Sequence, residues 1–85
     1  MRMGSGPVWR QEDETLVRDY EFKDFVAAMA FVNRVADAAE EVNHHPDILV
    51  HDWNKVRLTL TTHSVGKLTD NDHAMAQRID GLGGG

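Results

Sequence analysis

The chain has no cysteine among its 85 residues, which excludes disulfide bonds and thiolate metal ligands. The lack of cysteine also fits a reducing compartment, and we expect a cytoplasmic protein. Long apolar runs are missing too, because no segment approaches the roughly 20 apolar residues that cross a bilayer. The opening residues, MRMGSGPVW, lack the apolar core of a signal peptide. These absences predict a protein without membrane association.

Basic residues are scarce: 9 lysines and arginines stand against 14 aspartates and glutamates, and the formal charge is -5. A nucleic-acid binder needs a basic surface to neutralise phosphates, so no direct binding to nucleic acid is expected. The length suits a single domain over residues 1–85, with flexible ends at 1–7 and 81–85. A domain this small buries only about 60–65% of its unfolded surface, so we expect it to form a homodimer or homotetramer.

Four segments have strand patterns. The segment TLVRDYEF at 15–22 alternates and is rich in aromatic residues, and residues 8–11 can pair with it through a polar turn. The segments ILVHDW at 48–53 and KVRLTLTT at 55–62 are separated by a short link, which predicts a hairpin.

Two segments have helical patterns. Residues 23–43 contain no glycine or proline, and their apolar residues recur at helical spacing in a stripe widened by Val26, Val35 and Val42. The members of the stripe are Phe25, Met29, Val32, Ala36 and Ala39. A second helix is expected after a capping Thr69. The order of elements predicts an α+β fold with a four-stranded antiparallel sheet and two main helices packed on one face.

Three histidines are expected to meet at one end of this sheet. His44 and His45 lie between the long helix and the third strand, and His63 follows the fourth strand. Because the third and fourth strands form a hairpin, the end of the fourth returns to the beginning of the third. Asp72, in the first turn of the last helix, can reach the same end.

The spacing of these residues leaves three interpretations open. A metal site is one, although adjacent histidines often point apart and no HExxH pattern is present. General acid–base catalysis is the second, because imidazole both accepts and donates protons near neutral pH. The third is that these histidines are merely exposed or capping groups.

The segments "NHHPDI", "WNKV" and "LTTH" are similar to segments of the pterin-4a-carbinolamine dehydratase family, also known as the dimerisation cofactor of a hepatocyte nuclear factor. The resemblance extends from Trp9 to Asp80 at several independent spacings. Its pattern is carried by Glu40, His44, His45, Pro46, Trp53, His63 and Asp72. The amino-terminal helix that members usually carry is expected to be missing, because only MRMGSGPV precedes Trp9.

The resemblance implies a hydro-lyase reaction, the dehydration of 4a-hydroxytetrahydropterin to quinonoid dihydropterin for aromatic amino-acid hydroxylases. It implies no metal and no organic cofactor. By the same resemblance, His44 and His63 act as the acid–base pair and His45 holds the substrate. Asp72 is expected to orient His63 or the start of the last helix, and Glu40 to position His44 or to lie on the solvent face.

Other residues have weaker expectations. Trp53 can stack on a pterin, but we favour packing, as is common for a tryptophan at a strand end. Thr61 and Thr62 can offer hydroxyl or backbone groups to a pterin edge, or serve simply as strand residues. Two further functions remain: a metalloprotein, and a non-catalytic dimerisation, scaffold or transcriptional partner protein with the same fold.

Overall fold

The computed structural model describes residues 8–82. Predictions about residues 1–7, including the missing amino-terminal helix, and about 83–85 lie outside the described residues. In chain order the elements are β1 (Arg10–Glu12), β2 (Thr15–Glu21), α1 (Phe25–Val42), β3 (Asp47–His51), β4 (Lys55–Leu60) and α2 (Asp70–Asp80). The sheet has the order β1-β2-β4-β3, and all its neighbours are antiparallel. The predicted α+β fold is therefore confirmed.

Asp24 and Asn43 determine where α1 begins and ends. The side chain of Asp24 accepts a hydrogen bond of 2.8 Å from the amide of Ala27, which caps the first turn. Asn43 adopts a left-handed conformation with φ of 54°, the usual way for a helix to end without glycine. These caps set where the chain leaves the helix and place His44 next to the start of β3.

The core lies between the helices and one face of the sheet. Leu58 and Leu60 of β4 are fully buried, as are Phe31 of α1 and Ile79 of α2. Neither helix in residues 8–82 is both long and apolar enough to cross a membrane.

The apolar face expected for α1 is partly wrong. Phe25 is 51% exposed and Val26 is 75% exposed, whereas Phe31 and Val35 are completely buried. Apolar residues cover more than half of the circumference of this helix, so two adjacent stripes have nearly equal spacing. The contacts of the folded sheet, which helical periodicity does not contain, select the stripe of Ala28, Phe31, Val35 and Ala38.

Candidate active site

Three histidines lie at the end of the β3–β4 hairpin where β3 begins, and each has a different carboxylate beside it. The pairs, given as the distance between a ring nitrogen and a carboxylate oxygen, are His44–Asp72 at 2.5 Å, His45–Glu40 at 2.5 Å and His63–Asp47 at 4.0 Å. The three pairs differ sharply in burial, and burial determines whether an imidazole is held in place or open to solvent.

The first pair is enclosed. The side chain of His44 is 16% exposed and that of Asp72 is completely buried. The second oxygen of Asp72 accepts hydrogen bonds from the Thr62 hydroxyl at 2.8 Å and from the Thr69 amide at 2.9 Å. The hydrogen bond from the Thr69 amide is half of a capping box at the start of α2. The same carboxylate therefore caps α2 and holds the imidazole of His44.

Burial acts to raise the pKa of Asp72, but its hydrogen bonds outweigh that effect. The imidazole of His44, the Thr69 amide and the Thr62 hydroxyl together hold the pKa of this carboxyl below its usual value. An ionised Asp72 is only an acceptor, so Nε2 of His44 donates to it. The free ring nitrogen of His44 is therefore Nδ1.

Local backbone contacts hold the segments that carry this network. The amide of His44 donates to the carbonyl of Ala39 at 3.1 Å, and Pro46 is buried. On the other segment, the amide of Thr62 donates to Lys67 at 3.2 Å, closing a loop in which Gly66 has φ of 67°. Glycine takes this left-handed conformation at little cost, so the loop returns tightly towards α2.

The other two pairs face solvent. Side-chain exposure is 52% for His45 and 76% for Glu40, and it is 69% for His63 and 71% for Asp47. Side chains alternate between the faces of a strand. Carried past the strand ends, this alternation puts His45 and His63 on the side of Asp47, and His44 on the side of the helices. The site thus has a half-buried imidazole on one side of the sheet and two accessible imidazoles on the other.

A pocket of about 150 Å³ opens beside His44. Its lining comes from the end of α1 and from α2, and consists of Val42, Asn43, His44, Asn71, Ala74, Met75 and Arg78. His45 and His63 do not line this pocket. The pocket therefore gives access to the edge of one imidazole, with two amide side chains and a guanidinium nearby.

Several predicted partners differ from the observed ones. Of the two roles expected for Asp72, the structure shows the one at the start of α2, and the imidazole that it contacts is His44 and not His63. Glu40 lies on the solvent face, as one of its two expectations had it, and pairs there with His45 instead of His44. The reason is the strand alternation, which turns residues 44 and 63 to opposite faces. The hydroxyl of Thr61 donates to the carbonyl of Glu14 at 2.8 Å, so it serves the β1–β2 turn.

Trp53 lies away from His44, His45 and His63. It is in the turn between β3 and β4, at the opposite end of the hairpin, and it is 61% exposed. This tryptophan is therefore not packed in the core of its own chain. Its stacking on a pterin stays a prediction.

Some functional contacts were missed by reasoning from the sequence. Asp47 beside His63 was not considered, although it directly follows the His-His-Pro segment. Thr69 was expected only as a cap, but its hydroxyl also lies 2.7 Å from that of Thr62. Strand alternation carried beyond the ends of β3 and β4 places Asp47 on the same side of the sheet as His63, whereas no signal in the sequence indicates the contact of Thr69 with Thr62.

The histidines and carboxylates of the site are arranged in pairs. Among residues 8–82, no group of three histidine, aspartate or glutamate side chains is arranged to hold a metal ion. Each imidazole instead has a single carboxylate neighbour, an arrangement that suits proton transfer and orientation of the rings.

Comparison with known proteins identifies the family. A family model described as "Pterin 4 alpha carbinolamine dehydratase" matches residues 2–82. A curated relative from Thermomicrobium roseum, named "Putative pterin-4-alpha-carbinolamine dehydratase", is 52% identical over 73 residues, covering 86% of this chain and 77% of the relative. A relative of the same name from Acidobacterium capsulatum is 49% identical over 81 residues, which cover 95% of this chain and 87% of the relative.

A solved structure agrees with these relatives. It is described as a transcriptional coactivator/pterin dehydratase from Brucella melitensis and shares 35% sequence identity with a TM-score of 0.82. The match covers 89% of this chain and 82% of that chain. The family model spans nearly the whole sequence and the relatives are about half identical over most of it, so this chain belongs to the pterin-4-alpha-carbinolamine dehydratase family.

Proposed function

We propose that this protein dehydrates 4a-hydroxytetrahydropterin to quinonoid dihydropterin and water. The product returns to the tetrahydropterin pool used by aromatic amino-acid hydroxylases. The observation that carries the proposal is the grouping of three imidazoles, each with its own carboxylate, at one end of the β3–β4 hairpin. Membership of the dehydratase family supplies the substrate class.

The reaction needs two proton transfers and no change of oxidation state. A general acid protonates the 4a-hydroxyl, the C4a–O bond breaks, and water leaves. A general base removes the proton from N5, and the electron pair of that bond forms the C4a=N5 double bond. Imidazoles are suited to both steps, because each protonation state is populated near neutral pH. The acid and the base exchange their protons with solvent before the next turnover.

His44 and His63 serve as the acid–base pair in this proposal. His44 is held through Nε2 by Asp72, so the proton that it exchanges with the substrate is at Nδ1. The second group, His63, is open to solvent, which lets it exchange protons with water between turnovers. His45, fixed by Glu40, mainly holds the substrate.

The decisive measurement is the rate of dehydration of chemically generated carbinolamine above its uncatalysed rate. His63→Ala should lower kcat by about 10²–10⁴-fold, the usual contribution of a general acid or base, with a smaller change in KM. His45→Ala should mainly raise KM. A normal kcat for His63→Ala would refute its assignment.

A scaffold role is the second candidate, because the structural relative from Brucella melitensis is described as a transcriptional coactivator as well as a pterin dehydratase. The carbinolamine dehydration assay distinguishes the scaffold role from the enzymatic one. A wild-type protein with no rate above background would leave only the scaffold role.

A homo-oligomer in the cytoplasm is also part of the proposal. The supporting observation is β3, which lies at an edge of the sheet and carries Leu49 at 53% exposure. Within residues 8–82, no strand neighbours it on its outer side. An exposed apolar edge strand favours pairing with another chain. Sedimentation equilibrium distinguishes a dimer from a tetramer.

A further inference from the structure

Thr62 lies between the two imidazoles that the proposed reaction uses. It directly precedes His63 in the chain, and strand alternation turns its side chain to the opposite side of the sheet, where His44 lies. Its hydroxyl donates a hydrogen bond of 2.8 Å to Asp72, and the other oxygen of that carboxylate lies 2.5 Å from Nε2 of His44. One residue and one carboxylate therefore connect His63 to His44.

The hydrogen bonds around the Thr62 hydroxyl have a fixed direction. A hydroxyl carries one hydrogen, and Thr62 donates it to Oδ2 of Asp72, which is ionised and can only accept. The hydroxyl of Thr69 lies 2.7 Å from that of Thr62, so Thr69 is the donor in this contact. The chain of bonds runs from Thr69 through Thr62 to Asp72, and each bond polarises the next. Because the Thr69 amide also donates to Oδ2, at 2.9 Å, the carboxylate keeps its other oxygen turned to His44.

The main chain of Thr62 is anchored as well as its side chain. Its amide donates to the carbonyl of Lys67 at 3.2 Å, and its carbonyl accepts from the amides of Val65 at 3.1 Å and Gly66 at 2.9 Å. These bonds close a short loop that begins with His63. The loop that carries this imidazole therefore also sets the position of the Thr62 hydroxyl.

The proposed reaction needs both imidazoles at defined places. The 4a-hydroxyl and the N5 proton are on adjacent atoms of the pterin, so the acid and the base must come within hydrogen-bond reach of both together. A misplacement of about 1 Å can lower a rate by about 10²-fold. A residue that fixes one imidazole relative to the other can thus control turnover without touching the substrate.

We propose that Thr62 is a positioning residue for this reaction, because its hydroxyl holds Asp72 so that His44 stays in place relative to His63. The inference rests on the proposed function for the identity of the reaction. The hydrogen-bonded state of His44 does not depend on that function, so it can be tested by itself.

The first test observes His44 without turnover. In the ¹⁵N-labelled wild type, the Nε2 proton of His44 should give a separate NMR signal, because its bond to a buried carboxylate protects it from exchange with water. Thr62→Val should broaden or remove this signal, whereas Thr62→Ser should retain it. Thr62→Val should also raise the pKa of Asp72, since one donor to the ionised carboxylate is lost. A wild type without this signal, or a Thr62→Val protein that retains it, would overturn the proposal.

The second test separates positioning from substrate binding. Thr62→Val should lower kcat for carbinolamine dehydration by about 10–10²-fold and leave KM nearly unchanged. Thr62→Ser keeps the hydroxyl and should restore most of kcat. A raised KM with an unchanged kcat would show that Thr62 binds the pterin instead. Equal losses in the serine and valine variants would exclude a role for the hydroxyl.

Two further variants control for a general loss of stability. Thr15→Val removes a hydroxyl that donates to the carbonyl of Glu12 at 2.7 Å in the β1–β2 hairpin, and it should leave kcat unchanged. Thr69→Val removes the first hydroxyl of the chain of bonds and should lower kcat by less than Thr62→Val does. A loss in Thr15→Val equal to that in Thr62→Val, or a larger loss in Thr69→Val, would contradict the proposal.

The two tests also distinguish this inference from the proposed function. A wild type with no dehydration above background would refute the proposed function. The NMR signal of His44 would then decide by itself whether the hydroxyl of Thr62 holds the imidazole in place.

Discussion

Two histidine–carboxylate pairs at the same end of the hairpin behave as opposites. His44 is half-buried and contacts the fully buried Asp72 at 2.5 Å, and Asp72 also bonds to two threonines. His63 and Asp47, by contrast, are about 70% exposed and 4.0 Å apart. The first imidazole has one orientation, because its carboxylate cannot move without breaking the start of α2. The second is exposed and lies too far from Asp47 for a hydrogen bond. Identical residue types thus give one enclosed, hydrogen-bonded imidazole and one that faces solvent, as burial and the number of hydrogen bonds dictate.

The largest expected effect comes from removing the charge of each carboxylate. Asp72→Asn should lower the free energy of unfolding by about 2–4 kcal/mol, because a buried acceptor of three hydrogen bonds is replaced by a neutral amide. Asp47→Asn should change it by less than about 0.5 kcal/mol, since both partners are solvated. Urea denaturation of the two variants and the wild type measures both values. Equal effects would show that the buried pair is not special.

A smaller effect is expected at the two neighbouring threonines. Thr62→Val removes a hydroxyl that donates to the buried carboxylate and should cost about 1.5–3 kcal/mol of stability. Thr61→Val, the matched control, removes a hydroxyl that donates to a neutral carbonyl and should cost about 0.5–1.5 kcal/mol. Thr62→Ser keeps the hydroxyl and should recover most of the loss. If Ser and Val were equally destabilising at residue 62, the bond to Asp72 would contribute nothing.

The smallest effect is the dependence of stability on pH. The pKa of Asp72 is lower in the folded protein than in the unfolded chain, where aspartate titrates near 3.9. Its stabilising contribution is therefore complete above that value and decreases as the pH falls through the lower, folded value. The difference in unfolding free energy between the wild type and Asp72→Asn should narrow between about pH 5 and pH 2. A constant difference over that range would contradict the lowered pKa.

Strand and helix positions were predictable because they depend on local patterns. The alternation of Val56, Leu58 and Leu60 marks β4, and all three side chains are completely buried. The end of α1 at Asn43 follows from its residue type and the proline three positions later. The buried stripe of α1 was not predictable to the same degree, since alanines lie on both candidate stripes.

The sequence predicted where the site lies in the sheet, but not which side chains contact each other there. Hairpin topology by itself brings residues 44 and 63 to one end of the sheet. Which carboxylate each imidazole meets depends on the face to which each residue turns, and a shift of one residue reverses the face. For the same reason His63 is not the partner of Asp72, whereas the other role expected for this carboxylate, at the start of α2, is observed.

The sequence by itself determined the family, the order of strands and helices, and the end of the sheet where the histidines gather, because these follow from periodicity, capping residues and spacing along the chain. Only the tertiary structure decided that Asp72 is buried against His44, that His63 faces solvent, and that Trp53 is exposed. Burial and side-chain direction arise when distant segments pack together. They are properties of three-dimensional neighbours, which the order of residues does not contain.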